Sequence, residues 1–158
     1  MGDVRVEPPL PVEDISLVMR ATAPLWTELR GSHVLVTGVT GFFGRWILES
    51  LLAANVHFNA GLRATVISRD PAAFLKKMPH LAAERALNWV QGSVATMRPE
   101  EFAPRHFDGV IHLATEADSA ATVASPERAV EVITGGTRRA LEVAVATGAR
   151  RFLFASSG

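Results

Sequence analysis

Val34-Leu-Val-Thr-Gly-Val-Thr-Gly-Phe-Phe-Gly44 is the stretch of sequence that decides the fold. Residues 34–37 are apolar and β-branched, which favours a strand. Glycines follow at positions 38, 41 and 44, and the apolar pattern of a helix comes after them. The stretch therefore predicts a strand, a tight turn and the start of a helix.

The three glycines suit a turn that holds a diphosphate. Gly38 lets the chain leave the strand through a conformation that a side chain would forbid. Gly41 lets the backbone approach the diphosphate, and Gly44 lets the helix pack closely on the strand. The first amides of the helix and its dipole then favour a negatively charged ligand. The alternative is a glycine-rich turn without a ligand, but the strand–turn–helix context favours a nucleotide site.

Composition limits the class of protein. The 158 residues suit one domain, and 16 basic side chains balance 16 acidic ones, which argues against nucleic acid or an anionic membrane surface as partner. The absence of cysteine excludes disulfides, a thiol nucleophile and a cysteine metal site, and we predict no metal. The amino terminus does not read as a secretory signal, and no apolar run approaches the roughly 20 residues of a membrane helix. These features fit a cytoplasmic protein.

The rest of the chain alternates between strand and helix patterns. Strand candidates are His33–Thr37, Ala64–Ser68, Leu87–Gln91, Gly109–Leu113 and Arg151–Ala155, and helix candidates are Gly44–Ala54, Pro71–Lys77, a short piece at 80–86, and 126–147. The strands show little polar alternation, which suits a parallel sheet covered on both faces. We expect an α/β, Rossmann-like, doubly wound sheet of five strands in the order 3-2-1-4-5. It would be truncated after the fifth strand, which would remain an edge.

Two further expectations concern helical segments. Residues 1–30 are expected to form an N-terminal helical arm that packs on the surface of the domain, residues 31–158, and does no chemistry. In the first helix of the domain, Phe43, Ile47 and Leu51 recur every four residues and predict a stripe that faces the sheet.

Several segments in register resemble one family. Thr37–Gly44 resembles the T-G-x-x-G-x-x-G turn of the extended short-chain dehydrogenase/reductases, which include the NAD(P)-dependent epimerases and dehydratases and their reductase relatives. Residues 108–115 resemble the family's fourth strand and the loop beside the cofactor, and Gly136-Thr137 resembles its long fourth helix. Residues 151–158 resemble the strand that delivers a catalytic Ser or Thr. The resemblance covers about 31–158 and implies a cofactor-binding part without its substrate domain.

The resemblance implies cofactor contacts from three loops. They are Gly38, Thr40, Gly41, Phe42, Phe43 and Gly44 in the turn, Ser93 and Val94 after the third strand, and Leu113, Ala114 and Thr115 after the fourth. The family commonly has Gly-Asp after the third strand, where its carboxylate meets the adenine. Gly92-Ser93 stands there instead, and its hydroxyl makes a weaker hydrogen bond.

The end of the second strand indicates which cofactor binds. NAD enzymes usually place an acidic residue there for the ribose hydroxyls. Ser68 and Arg69 occupy this place, and the Arg69 guanidinium suits the 2′-phosphate of NADP, with Lys76 within reach of it. Asp70 either meets a ribose hydroxyl or caps the helix that Pro71 opens, and we favour capping. NADP is therefore the expected cofactor, and NAD is the alternative. The other interpretation of Arg69 is an ordinary solvated charge on the surface.

The catalytic residue that the resemblance implies is Ser157, which would hydrogen-bond the substrate oxygen during hydride transfer. Its other reading is a serine that caps a turn at a strand end. The family's main acid–base pair is a Tyr and a Lys four residues later, and this sequence contains no tyrosine.

His112 is interpreted as a core histidine in preference to a catalytic one. Glu116 and Asp118 are either near the substrate or simple solvated charges.

Two functions remain open. The first is the cofactor-binding portion of an epimerase, dehydratase or reductase that acts by hydride transfer, catalytically incomplete as given. Its substrate would be a small molecule such as a nucleotide sugar, and the family resemblance implies a homodimer. The second is a non-catalytic, NADP-binding or redox-sensing module. A continuation beyond Gly158 through Val-Tyr-Gly and Tyr-x-x-x-Lys would favour the enzyme.

Overall fold

Five parallel strands form one sheet in the computed structural model, which describes residues 6–114 and 126–156. The strands are β1 (His33–Thr37), β2 (Arg63–Ser68), β3 (Leu87–Gln91), β4 (Gly109–His112) and β5 (Arg151–Phe154). Their order is β3-β2-β1-β4-β5, and each neighbouring pair is parallel. The predicted Rossmann-like sheet and its strand order are confirmed.

Helices cover both faces of this sheet. They are α1 (Val12–Ala21), α2 (Ala23–Glu28), α3 (Phe42–Phe58), α4 (Pro71–Lys77) and α5 (Pro126–Ala146), with 3₁₀ turns at Pro79–Leu81 and Pro99–Glu101. Helix α3 begins two residues before the predicted Gly44 and ends where Asn59 takes a left-handed φ of 49°. Over the described ranges, no helix has the length and apolarity needed to cross a bilayer.

Adjacent residues of each central strand enter different cores. Val36 of β1 and Val66 of β2 pack in the first core, with α3 and α4. Leu35 and Ile67, one residue away in each strand, pack in the second core, with α5. A sheet covered on both faces needs apolar side chains on both, which explains why these strands read as continuous apolar runs. The predicted two-sided burial is confirmed.

The predicted stripe on α3 is wrong at its first member. Leu51 is buried and Ile47 packs against the first core, but Phe43 is 69% exposed. Phe43 lies in the first turn of α3, directly after the glycine turn. Its side chain therefore borders the glycine turn and not the sheet.

The N-terminal segment is held by both apolar and polar contacts. Met19 of α1 and Trp26 of α2 are buried in the first core. Glu49 of α3, only 8% exposed, accepts the Leu10 N–H at 2.6 Å and the Arg45 Nε–H at 2.9 Å. Because a buried carboxylate requires such partners, Glu49 links the start of the chain to α3.

Removing this carboxylate should destabilise the fold. Glu49→Ala leaves the Leu10 amide and the Arg45 Nε–H without their acceptor, although Arg45 keeps its ion pair with Glu7, so we expect the free energy of unfolding to fall by about 2 kcal/mol. Urea denaturation measures it. Glu142→Ala is the matched control, since its exposed Arg138–Glu142 pair has the same i,i+4 spacing and 2.9 Å separation. An exposed pair contributes about 0.5 kcal/mol or less. Equal losses in the two variants would contradict the anchoring role.

Candidate functional site

Two glycines of the turn are required by the protein's own packing. Gly38 has a φ of +74°, and a Cβ added to it would lie 2.5 Å from the backbone nitrogen of Ala114. A Cβ added to Gly44 would lie 2.3 Å from the Cα of Val39. Side chains at these positions would separate the turn from the end of β4 and from α3. The fold alone therefore explains Gly38 and Gly44.

Gly41 is different, because no contact within residues 6–114 and 126–156 requires a glycine there. Its φ is −85°, which any residue adopts. A Cβ added to it would meet only the Gly38 carbonyl oxygen, at an ordinary 3.5 Å, and the residue is exposed. The space that a side chain would fill lies on the outer side of the turn. A ligand that approaches the backbone there would account for the glycine.

The start of α3 presents amides to the same space. Gly41 occupies the N-cap position and has no side chain to cap the helix. The first intrahelical bond of the turn runs from the Arg45 N–H to the Gly41 carbonyl at 3.1 Å, so the amides of residues 42–44 precede the repeating helical pattern. Uncapped amides at the positive end of a 17-residue helix favour an anion.

Aromatic side chains border this amide cluster. Phe42 is 72% exposed, and its ring centroid lies 5.4 Å from that of Phe43 in an edge-on contact. Thr40, in the turn that precedes Gly41, is also exposed. Four of the six predicted turn residues, Thr40, Gly41, Phe42 and Phe43, therefore lie on one accessible rim, whereas Gly38 is half-buried and Gly44 is buried.

The exit of β4 lies directly against the turn. The Leu113 N–H donates to the Thr37 carbonyl at 3.2 Å, and the Ala114 N–H donates to Thr37 Oγ1 at 3.3 Å. Both residues are half-buried beside Gly38. Two of the three residues predicted here therefore adjoin the turn. Thr115, like Glu116 and Asp118, lies outside the described residues.

The end of β2 carries the residues predicted to select the cofactor. Asp70 Oδ1 accepts the Ala73 N–H at 2.9 Å, so the predicted capping of α4 is confirmed. Arg69 and Lys76 are exposed, and neither forms a salt bridge within the described part of the chain. Their two positive charges flank the start and end of α4, while the Asp70 carboxylate between them is committed to the cap.

The loop after β3 packs against α5. Ser93 Oγ accepts the Ala95 N–H at 3.2 Å, which orders the loop and leaves the hydroxyl proton for a further acceptor. A Cβ added to Gly136 of α5 would lie 3.1 Å from Val94 Cγ2. Gly136 therefore permits close packing of the helix on the loop. Ser157, the predicted catalytic residue, lies outside the described residues.

His112 is buried at the end of β4, as predicted for a core histidine. Its Nδ1 lies 2.8 Å from Thr37 Oγ1 and its Nε2 lies 3.3 Å from Thr137 Oγ1 of α5. Burial lowers the pKa of His112. The contact to Thr137 was not predicted, since it joins residues on separate elements and no local pattern signals it.

A concave surface rich in arginine lies at the amino-terminal ends of the strands, which form the edge of the sheet opposite the glycine turn. Arg63, Arg85 and Arg105 line it. Burial first, and then the Arg63 guanidinium, lower the pKa of His33 there. Nearby, Arg30 donates to the Phe58 and Asn59 carbonyls at the end of α3, where a cation complements the negative end of the helix dipole.

No group of three or more acidic, histidine or cysteine side chains suited to a metal occurs in residues 6–114 and 126–156. At the carboxyl ends of the strands, the backbone amides at the start of α3 and the exposed Arg69 guanidinium are groups that can bind an anion.

Comparison with known proteins identifies the family. The model for the NAD dependent epimerase/dehydratase family matches residues 34–158. The chain belongs to this family. Vestitone reductase from Medicago sativa is 33% identical over 130 residues, which cover 80% of this chain and 38% of the relative.

Solved structures share the fold. UDP-glucose 4-epimerase from Thermotoga maritima, determined with UDP-glucose, is 24% identical with a TM-score of 0.64 over 80% of this chain and 38% of that one. The dTDP-glucose 4,6-dehydratase DesIV from Streptomyces venezuelae, determined with NAD bound, is 24% identical with a TM-score of 0.61, over 76% and 38%. The chain thus spans about 38% of the length of these proteins.

The different steric roles of the glycines can be measured. Gly44→Ala forces a backbone shift, so we expect the free energy of unfolding to fall by about 3 kcal/mol. Gly41→Ala should cost about 1 kcal/mol or less, because it only weakens an N-cap. Thermal and urea denaturation of the two variants provide the comparison. Comparable destabilisation by both would show that Gly41 has a structural role after all.

Proposed function

We propose that the chain is the cofactor-binding portion of an NADP-dependent oxidoreductase of the epimerase/dehydratase family, with NAD as the alternative cofactor. The observation that carries this proposal is Gly41, a glycine that the packing of the described residues does not require, at the uncapped start of α3. Family membership supports NAD(P) as the occupant of this space.

Each part of the site has a distinct task in this proposal. The amides of residues 42–44 and the Gly41 backbone bind the pyrophosphate, and Thr40 and the two phenylalanines border it. Arg69 and Lys76 bind the 2′-phosphate, because each is exposed and has no salt-bridge partner in the described residues. Ser93 and Val94 adjoin the adenine. Leu113, Ala114 and Thr115 adjoin the ribose and pyrophosphate.

NADP, when bound, supplies hydride transfer. The chain's own contribution is to orient it, and Ser157 is proposed to hydrogen-bond the substrate oxygen. Because the 158 residues contain no tyrosine, they do not supply the phenol that the family uses for proton exchange. We therefore propose that this portion alone binds cofactor without completing catalysis.

The proposed substrate of the whole protein is a small molecule, such as a nucleotide sugar. UDP-glucose is bound in the Thermotoga maritima epimerase, and the Streptomyces venezuelae enzyme is a dTDP-glucose dehydratase. A homodimer is also proposed, supported by exposed Leu141 and Val145 on the outer face of α5. A cytoplasmic location is also proposed, and the balance of 16 basic and 16 acidic side chains supports the proposed absence of nucleic-acid and membrane partners.

A non-catalytic NADP-binding or redox-sensing module is the second candidate. The reading frame downstream of Gly158 distinguishes the two. A following Val-Tyr-Gly and a later Tyr-x-x-x-Lys support the enzyme, whereas a stop codon at that point supports the module.

Cofactor binding and its selectivity can be tested by thermal denaturation. At a hundredfold excess over its Kd, NADP should raise the Tm by about 5–10 °C. Gly41→Ala should abolish this shift, since its methyl group fills the space of the ligand.

Arg69→Ala should weaken NADP binding by about 10- to 100-fold, because charge-assisted bonds to the 2′-phosphate are lost. It should leave NAD binding unchanged.

Arg85→Ala is the matched control for Arg69→Ala, since Arg85 is an exposed arginine at the opposite edge of the sheet. Its NADP-induced shift should equal that of the unmodified chain. An NAD shift as large as the NADP shift would refute the NADP assignment, and no shift with either cofactor would refute the proposed function.

A further inference from the structure

A buried histidine joins the turn region to the long helix. The His112 ring is fully buried and lies between two hydroxyl groups, Thr37 Oγ1 at 2.8 Å from Nδ1 and Thr137 Oγ1 at 3.3 Å from Nε2. Thr37 belongs to β1 and Thr137 to α5, so the ring bridges two elements that are 100 residues apart in sequence.

The direction of each hydrogen bond follows from counting donors. The Thr137 hydroxyl donates its one proton to the Ile133 carbonyl at 2.7 Å, so it accepts from the ring, and His112 Nε2 carries a proton. In the neutral ring Nδ1 is then an acceptor, and the Thr37 hydroxyl donates to it. The Thr37 oxygen in turn accepts the Ala114 N–H at 3.3 Å.

The ring's plane is fixed by its neighbour on β5. Phe154 is the register partner of His112 and stacks on it, with centroids 5.8 Å apart and planes inclined by 17°. Thr37, Thr137, Phe152 and Phe154 surround the ring, and none of these neighbours carries a charge. Because the ring is rigid and held in place, a displacement of the hydroxyl at one nitrogen also displaces the hydroxyl at the other.

We propose that His112 is a positioning residue whose neutral, Nε2-protonated ring couples α5 to the Leu113–Ala114 segment through Thr37. The same helix holds the loop after β3, because Gly136 packs on Val94. One element therefore sets the position of two segments of the nucleotide site. The effect on cofactor affinity rests on the proposed function, whereas the coupling itself does not.

Thr137→Val is the direct test, because it keeps the side-chain shape and removes the hydroxyl that accepts from His112. Amide hydrogen exchange at Ala114 should accelerate by about fivefold, the effect expected for loss of one hydrogen bond. NADP binding should weaken by about the same factor. Thr137→Ser, which retains the hydroxyl, should restore both values.

Thr134→Val is the matched control. Thr134 lies on the same helix and donates to the Val130 carbonyl at 2.7 Å, with no contact to His112 among the described residues. It should leave Ala114 exchange and NADP affinity unchanged. If Thr134→Val and Thr137→Val accelerate Ala114 exchange equally, general loosening of the helix explains the effect, and the proposed coupling is wrong.

Two further measurements test the role of His112 itself. The nitrogen chemical shifts of His112 should identify protonation at Nε2, and protonation at Nδ1 would overturn the proposed direction. His112→Asn retains an acceptor for Thr37 and cannot reach Thr137, so adding Thr137→Val to it should change Ala114 exchange no further. An additional fivefold acceleration in the double variant would exclude His112 as the link. Coupled exchange without NADP binding would refute the proposed function and leave this inference standing.

Discussion

The close approach of the glycine turn to the end of β4 is the constraint on which the rest of the structure depends. Only a residue without Cβ fits at Gly38, where an added Cβ would lie 2.5 Å from the Ala114 nitrogen. Gly44 allows an equally close approach of α3 to the other side of the turn. With both contacts made, the start of α3 lies beside the carboxyl ends of the central strands. The site is a consequence of this backbone packing.

A polar layer beneath this edge holds the convergence in one arrangement. Thr37 bonds both the Ala114 amide and the His112 ring, and that ring reaches Thr137 on α5. Buried hydrogen bonds of this kind fix geometry more sharply than apolar contacts, since a misplaced partner leaves a buried polar group unsatisfied. The apolar cores on either face supply burial, and this layer sets the register of the elements around the turn.

The sequence was sufficient to predict the sheet, because its strands are short apolar runs separated by glycine and helical patterns. The Asp70 cap was also predictable, since Pro71 follows it directly and the interaction spans three residues. Phe43 was misassigned because periodicity does not reveal where a helix passes the edge of its sheet. The bond between His112 and Thr137 depends on tertiary packing, which no local pattern encodes. The cofactor-binding and catalytic roles of all the predicted site residues, including Thr115 and Ser157, remain predictions.

The central claim is that the uncapped start of α3 and the outward-facing Gly41 bind the pyrophosphate of NADP. An NMR titration of the isotope-labelled chain with NADP tests it most directly. The account predicts that the amide signals of Gly41, Phe42, Phe43 and Gly44 shift most, with Arg69 also perturbed, while Arg63 and Arg85 at the opposite edge stay unchanged. Shifts concentrated at the arginine-rich opposite edge, or unperturbed amides at 41–44, would contradict it.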